Sequence, residues 1–510
     1  MSILPSKVKR VASNTILLYF RMLFVMGVSL FTSRINIKAL GLEDYGLFNV
    51  VAGIIGLVAF LNSALGTSTS RYITVSLNDN DLQERRLLFS TIFKVHVLFG
   101  IVVTIVAELV GVYMVNNILS IPSNRLLACN IIFQCSIVIM FANLLNIPMT
   151  ASIIAHENFK AFAYIGIYEV IAKLISSYLL FVGFTDRLIL WGILNLLISI
   201  SLWGYYIIYC KRHFDEFYIS GSFDKSKARQ ISTFSFWNIL GSLSITLKNT
   251  GVNMVLNIFF GPLVNAANAI AYQVNNAITN FSANFTTALN PQIYKSYALK
   301  KYNETETLVH WGGKLSFYLV AILGLPLLVE MDYVLKVWLD SYPTFAPIFC
   351  KLIIVLSWIE CFNYSIGTAV QANGNIKYYQ LFVSGLSLLN LPLTYIALHY
   401  GASPDIALEI SIVIAIATLL LRILFLKKLV GFSQKVYYKN VLLPSVVMIL
   451  FSLLGCLMIH SYLDSSIFRF IIIVCTSTLL NSLLFYIFLN QEYKKIISNQ
   501  LLKIITHKTL

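Results

Sequence analysis

Leu40-Gly41-Leu42-Glu43-Asp44-Tyr45-Gly46 joins two long apolar stretches near the start of the chain. Phe260-Gly261-Pro262-Leu263-Val264-Asn265-Ala266 joins two more, 220 residues later. At the same offset Arg71-Tyr72 meets Pro291-Gln292, and Lys94 meets Lys314. Further on, Asn158-Phe159-Lys160 matches Asn375-Ile376-Lys377 at an offset of 217. Each match is weak alone; in order and at nearly constant spacing they indicate an internal repeat.

A bilayer core of ~30 Å needs roughly 20 apolar residues per helix. Fourteen stretches meet that length, from 14–37 and 46–70, through 231–259 and 264–290, to 440–461 and 466–489. Six fall in each copy of the repeat. Six is even, so both halves enter from the same side and are parallel repeats about an axis normal to the membrane. The last two stretches lie outside the duplication. The expectation is an all-α integral membrane protein of about 14 transmembrane helices. It divides into an N-terminal lobe over 1–212, a cytoplasmic linker over 213–230, a C-terminal lobe over 231–430, and two extra spans with a cytoplasmic tail over 431–510.

Composition excludes a string of soluble domains. Of the 510 residues 58% are hydrophobic and only 12% charged, half the charge of an ordinary water-soluble chain. The net charge of +15 does not indicate nucleic acid, because the Lys and Arg are concentrated in alternate loops. Placing the N-terminus in the cytoplasm leaves only Lys38, Arg125, Arg187, Lys336 and Arg469 in the outer loops, the asymmetry that sets membrane orientation. Both termini are then cytoplasmic. The seven cysteines are odd in number, form no CxxC and lie mostly in apolar runs, so neither a disulfide framework nor a metal site is expected. The seven histidines show no ligand spacing.

The informative residues are charges inside the apolar stretches. Arg21 and Arg34 lie in the first span, Lys94 in the third, Lys173 in the fifth and Lys248 in the seventh. Lys314 and Lys351 follow in the ninth and tenth, and Arg422 in the twelfth. Only Glu108, Glu169 and Glu360 oppose them. A cation at the bilayer centre costs at least ~2.5–3.5 kcal/mol unless paired or wet, so an anionic cargo is a natural missing partner. Arg would grip it through its planar fork and Lys as a point charge.

Some of these cations have structural explanations. Lys173 follows Glu169 by four positions and should pair with it on one helix face. Lys351 and Arg422 lie near span ends and can snorkel to the headgroups, and Arg71 can serve orientation alone. Lys94, Lys314 and Arg34 fit either role. Arg21 and Lys248 are the sharper candidates. Spans seven and eight are too polar for lipid contact, with Asn249, Asn253, Asn276 and Asn280 among many amides and hydroxyls. Such groups suit a wet, sugar-lined groove and equally suit interhelical hydrogen bonds.

Catalytic signals are weak. Gly312-Gly313-Lys314 resembles the end of a P-loop, but Leu315 replaces the required Ser or Thr. Asp79-Asn80-Asp81 has the form of a metal-nucleotide motif, yet like Glu43-Asp44 it occupies a polar turn beside a helix start, where Asp caps exposed N–H groups. The chain is not expected to be an enzyme and needs no cofactor.

The chain resembles the Wzx-type polysaccharide (O-antigen) flippases of the MOP exporter superfamily. The resemblance rests on Asn14-Thr15, Leu18-Tyr19-Phe20-Arg21-Met22, Thr32-Ser33-Arg34, the segment Leu40–Val51, Ser70-Arg71-Tyr72, Asn290-Pro291-Gln292 and Gln371–Lys377. It implies two six-helix lobes in a V-shaped, MATE-like arrangement plus a terminal pair, in the bacterial inner membrane. It implies a cargo too: an oligosaccharide repeat unit on undecaprenyl pyrophosphate, moved from the cytoplasmic to the periplasmic leaflet. A coupling ion or the membrane potential would drive it, with polysaccharide polymerase and glycosyltransferases as associates. By this analogy Arg21, Arg34, Arg71 and Lys248, with Lys94 and Lys314, are candidate pyrophosphate ligands, and Asn249, Asn253, Asn276 and Asn280 candidate sugar contacts. Gly261-Pro262-Leu263 lacks the acids of the first half, so no symmetric role is expected for Glu43 or Asp44. A drug or cation antiporter on the same scaffold and a membrane-bound polymerase or glycosyltransferase are the competing classes. Three carboxylates against this many cations disfavour the first, and the lack of a large outer loop the second.

Overall fold

The computed structural model describes residues 3–56, 59–118, 121–182, 186–219, 221–339 and 342–488. Every described element is a helix. In chain order they are α1 (Ile3–Gly56), α2 (Ala59–Ser76), α3 (Leu82–Tyr113), α4 (Leu126–Ala155), α5 (Phe159–Leu179), α6 (Arg187–His213), α7 (Lys225–Phe260), α8 (Pro262–Ala298) and α9 (Tyr302–Val329). The remainder are α10 (Met331–Leu339), α11 (Ala346–Glu360), α12 (Phe362–Asn373), α13 (Lys377–Leu388), α14 (Asn390–His399), α15 (Ile406–Phe425), α16 (Gln434–Tyr437), α17 (Leu443–Tyr462) and α18 (Ile467–Ile487).

Ten of the described helical stretches are long and apolar enough to cross a membrane. They fall on spans three to six and nine to fourteen of the sequence expectation. The four outside this set are the first two spans of each half. Those segments are helical, but of the first span only Ser13–Ser29 stands out as an apolar stretch, and the others carry many polar residues. A helix that need not face lipid all round is free to carry them. Among the described residues ten helices meet the criterion, as befits a multi-pass membrane protein.

Two compact units make up the chain. One is Asn14–Leu243, and the other comprises Met1–Ser13 with Ser244–Leu510. In the first, α4 is the central helix. Its sequence is apolar on every side, and Ile132, Phe133, Met149 and Ile153 are fully buried. Phe89, Ile92 and Phe93 of α3 and Ile198 and Leu202 of α6 complete one core with it. In the second unit Leu325 and Val329 of α9 pack against Cys456 of α17 and Ile473 of α18. The terminal pair, outside the sequence duplication, is anchored there.

The repeat reappears in the backbone. Gly41 interrupts α1 at φ 80°, ψ 167°, and Gly261 separates α7 from α8 at φ 75°, ψ −169°. That region is open essentially to glycine alone. Both joints are therefore one-residue corners rather than loops. At the second offset, Glu157 (φ 56°) ends α4 as Gly374 (φ 88°) ends α12. Gly374 supplies the left-handed C-terminal cap, while the Asn373 amide donates to Tyr297 Oη and to the Leu429 carbonyl, each at 2.9 Å.

Local capping fixes the helix starts. Asp81 accepts from the N–H groups of Gln83 and Glu84, and Asp186 from those of Leu188 and Ile189. Asp79 accepts from the Asp81 N–H through Oδ1, so both acids of the Asp79-Asn80-Asp81 motif take part in the turn before α3. Asp44 departs from the capping expectation. It is buried and accepts from Arg125 Nη2 at 2.6 Å, while Arg125 Nη1 donates to Asp186 at 2.5 Å. Arg187 adds a bond to the Ala39 carbonyl at 2.9 Å. Two of the five outer-loop cations thus tie the α1 corner to the starts of α4 and α6.

Candidate functional site

The first unit holds Arg21. It lies half-buried on α1 with its guanidinium 4.3 Å above the Phe162 ring. Phe162 and Gly166 stand four residues apart on α5 and so share the face that receives it; Gly166 contributes no side chain there. Arg21 Nε is buried without a hydrogen-bond partner. Glu169 and Tyr206 lie within range of its charge, but Glu169 already accepts from Lys173 Nζ at 2.6 Å. Among the described residues Arg21 makes no ion pair. A cation–π contact is worth ~0.5–2 kcal/mol, short of the cost of the buried charge.

Arg71, in the same unit, stacks between two rings, 5.0 Å from Tyr72 and 4.9 Å from Phe234 of α7. Lys94 has a structural engagement. It donates to the Gly221 carbonyl at 2.6 Å, and on the same α3 face Arg86 bonds the Asp215 carbonyl and Ser90 that of Ile219. These contacts strap the segment that links α6 to α7. The Arg34 and Glu43 side chains lie outside the described residues.

In the second unit Lys248 of α7 is paired. Its Nζ is 3.1 Å from Glu360 Oε1, with the lysine 12% and the glutamate 39% exposed. Glu360 is the last residue of α11, next to Cys361, which keeps helical φ/ψ (−61°, −27°) and leads directly into α12. The sequence marked Glu360 only as one of three scarce counter-ions; its match to Lys248, 112 positions away, had no local signal. Lys314 donates to the Phe488 carbonyl at 3.1 Å, capping the C-terminus of α18 where a cation complements the exposed carbonyls.

The amides separate into two groups. Asn249 accepts from Tyr272 Oη at 3.3 Å and Asn253 from Asn268 at 3.0 Å, both of them contacts between α7 and α8. Asn276 and Asn280 are exposed, and with Gln273 they form a stripe at i, i+3 and i+7 along α8. Among the described residues these three side chains make no hydrogen bond. Phe162 and Gly166 carried no sequence signal as partners of Arg21, since an aromatic and a glycine in an apolar helix read as ordinary packing.

No group of three or more His, Cys, Asp or Glu side chains that could hold a metal occurs among the described residues.

No protein-family model matches the chain, and no curated protein matches its sequence. Solved structures do match. The protein shares its architecture with polytopic transporters. More narrowly, the fold is that of the MATE proteins of the MOP superfamily. A MATE crystal structure in the bent conformation superposes with a TM-score of 0.69 at 14% identity, covering 83% of this chain and 98% of that one. An outward-facing multidrug resistance MATE family transporter of the MOP superfamily gives 0.68 at 13%, covering 82% and 95%. A MOP superfamily transporter from Pyrococcus furiosus gives 0.65 at 14%, covering 82% and 96%; a reverse polarity of its binding pocket is described as suggesting a different function. At these identities the likeness is one of fold.

Proposed function

We propose that the chain is a flippase for an anionic lipid-linked oligosaccharide. It would carry a repeat unit on undecaprenyl pyrophosphate from the cytoplasmic to the periplasmic leaflet by alternating access. The observation that carries this reading is Arg21: a cation held in a membrane helix over Phe162 and Gly166, with no carboxylate of its own. A diphosphate headgroup supplies the missing charge and accepts bidentate hydrogen bonds from a guanidinium. The bond-free amides of Asn276 and Asn280 offer a sugar donors and acceptors, whereas Asn249 and Asn253 hold α7 to α8. The Pyrococcus furiosus neighbour, with its reverse-polarity pocket, is a precedent for a changed cargo on this fold.

The membrane potential favours the outward direction. Each unit charge gains ~2.3 kcal/mol per 100 mV, so two phosphate charges crossing the whole field gain ~4.6 kcal/mol, enough to sustain a ~10³-fold gradient.

Complementation tests the proposal: expression in a strain lacking its own flippase should restore surface polysaccharide, and the Arg21→Ala variant should not. Failure of the wild-type chain to rescue, with resistance to cationic drugs instead, would favour the antiporter reading. The Lys248–Glu360 pair speaks for that alternative, since a partly exposed carboxylate can exchange its lysine for a proton or metal cation.

A further inference from the structure

A cavity of about 230 Å³ opens in the first unit between the end of α2, the first turns of α3 and the start of α7. Its charged lining is of both signs. Arg85 and Asp79 contribute one charge each, and Lys227 and Glu84, also in the wall, are bonded to one another. With that pair neutralised, Arg85 and Asp79 remain in the wall, the charge of Arg85 also reaching Glu216 in the link between α6 and α7. Among the described residues Arg85 Nε is buried without a hydrogen-bond partner, and Asp79 engages only Oδ1, which accepts from the Asp81 N–H. Gln230 adds an amide, while Tyr72, Leu88 and Ile231 form an apolar side.

The position of the cavity is as telling as its chemistry. The α3 sequence begins Leu82-Gln83-Glu84-Arg85-Arg86 and becomes apolar from Leu87 onward. The cavity straddles that change, where a spanning helix passes from headgroups to hydrocarbon. Its volume lies below the roughly 300–1,000 Å³ of pockets for drug-sized ligands and suits a headgroup instead.

We propose that this cavity seats the headgroup of an aminophospholipid, phosphatidylethanolamine being the type. The phosphate would lie against Arg85, the primary ammonium against Asp79, and the glycerol end against Tyr72 and Leu88. A single acid beside a single base selects a zwitterion: an anionic headgroup such as phosphatidylglycerol meets repulsion from Asp79. A trimethylammonium headgroup has no N–H to donate to the Asp79 carboxylate, whereas the primary ammonium has three. None of the lining residues is itself a candidate pyrophosphate ligand, and Arg71, which is one, borders the site by stacking on Tyr72.

The test uses the purified full chain in lipid-depleted detergent. Thermal unfolding and retained-lipid mass are followed while phosphatidylethanolamine, phosphatidylcholine or phosphatidylglycerol is titrated. Phosphatidylethanolamine should bind best. Asp79→Asn, which keeps the acceptor for the Asp81 N–H, and Arg85→Gln should each weaken it roughly tenfold, the size of one lost charge-assisted hydrogen bond. Lipid-free unfolding of Asp79→Asn should match wild type. Equal binding of the three lipids, or unchanged phosphatidylethanolamine binding by both variants, would overturn the site. Soluble O-phosphoethanolamine binding as tightly as the lipid would overturn the assignment to a membrane source.

Discussion

Arg21 lies so close to Gly166 that a methyl group added at the glycine would stand 2.2 Å from Arg21 Nε and 2.8 Å from Nη2. No real carbon occupies that space, and the arginine side chain is the more mobile partner. Gly166→Ala should therefore displace the guanidinium from Phe162 while leaving the α5 backbone intact, since alanine is the better helix former. Rescue of surface polysaccharide should fall at least tenfold in Gly166→Ala with protein level and unfolding temperature unchanged. Full rescue would show that the position of Arg21 is immaterial. Phe162→Leu, which removes only the cation–π contact, should fall less.

The two corner glycines predict a matched pair of stability losses. Gly41→Ala and Gly261→Ala each force an L-residue into a region that costs about 1–3 kcal/mol. Nothing crowds either position within 4 Å, so backbone strain rather than a clash accounts for the effect. Denaturant unfolding should show both losses, and the double variant should show their approximate sum, as expected of sites in separate units. A neutral effect at one corner only would mean that the two backbones are not equivalent.

Lys248 and Glu360 separate a structural pair from a ligand site. Lys248→Ala leaves a half-exposed carboxylate without its partner, a loss between the ~0–1 kcal/mol of exposed pairs and the ~3–5 kcal/mol of buried ones. Removing both charges in Lys248→Ala/Glu360→Ala should recover most of that stability. If Lys248 also contacts the diphosphate, the double variant stays transport-deficient although it is stable. Recovery of transport together with stability would confine the pair to a structural role and leave Arg21 as the principal cation.

The fold was legible because its two decisive signals are periodic: apolar runs of membrane length, and motifs returning at offsets of 220 and 217. Gly41 and Gly261 even carry the same conformation. The site was legible only in part. Lys173–Glu169 was readable because both lie on one helix turn. Lys248–Glu360 was not, because partners on different helices leave no mark in spacing. Lys94 and Lys314, equivalent in the repeat, are both held by backbone carbonyls, of the α6–α7 link and of α18 respectively. Composition alone cannot distinguish a lysine that caps a backbone from one that awaits a ligand. Asp44, the acid of the most recognisable motif, joins helix ends through Arg125, a partner 81 positions away.

The link between α6 and α7 also carries a pH response, centred on Glu216. This residue is 3% exposed and accepts from His156 Nε2 at 2.6 Å, with the His156 ring stacked on Phe214 at 4.2 Å. Burial pushes its carboxyl up, but the hydrogen bond and charge of His156, the backbone N–H and the charge of Arg85 together hold it below its ordinary value of 4.5. Cys210 is the other titratable neighbour, and its thiol stays neutral at these acidities. A carboxylate depressed in the folded state stabilises fully above its unfolded value, and the contribution is lost as pH falls through the folded one. Unfolding followed between pH 7 and pH 3 should therefore show a stability loss setting in below about 4.5. Glu216→Gln should be less stable than wild type at pH 7, and the two curves should converge at the acid end. Parallel curves across the whole range would mean that Glu216 contributes packing alone.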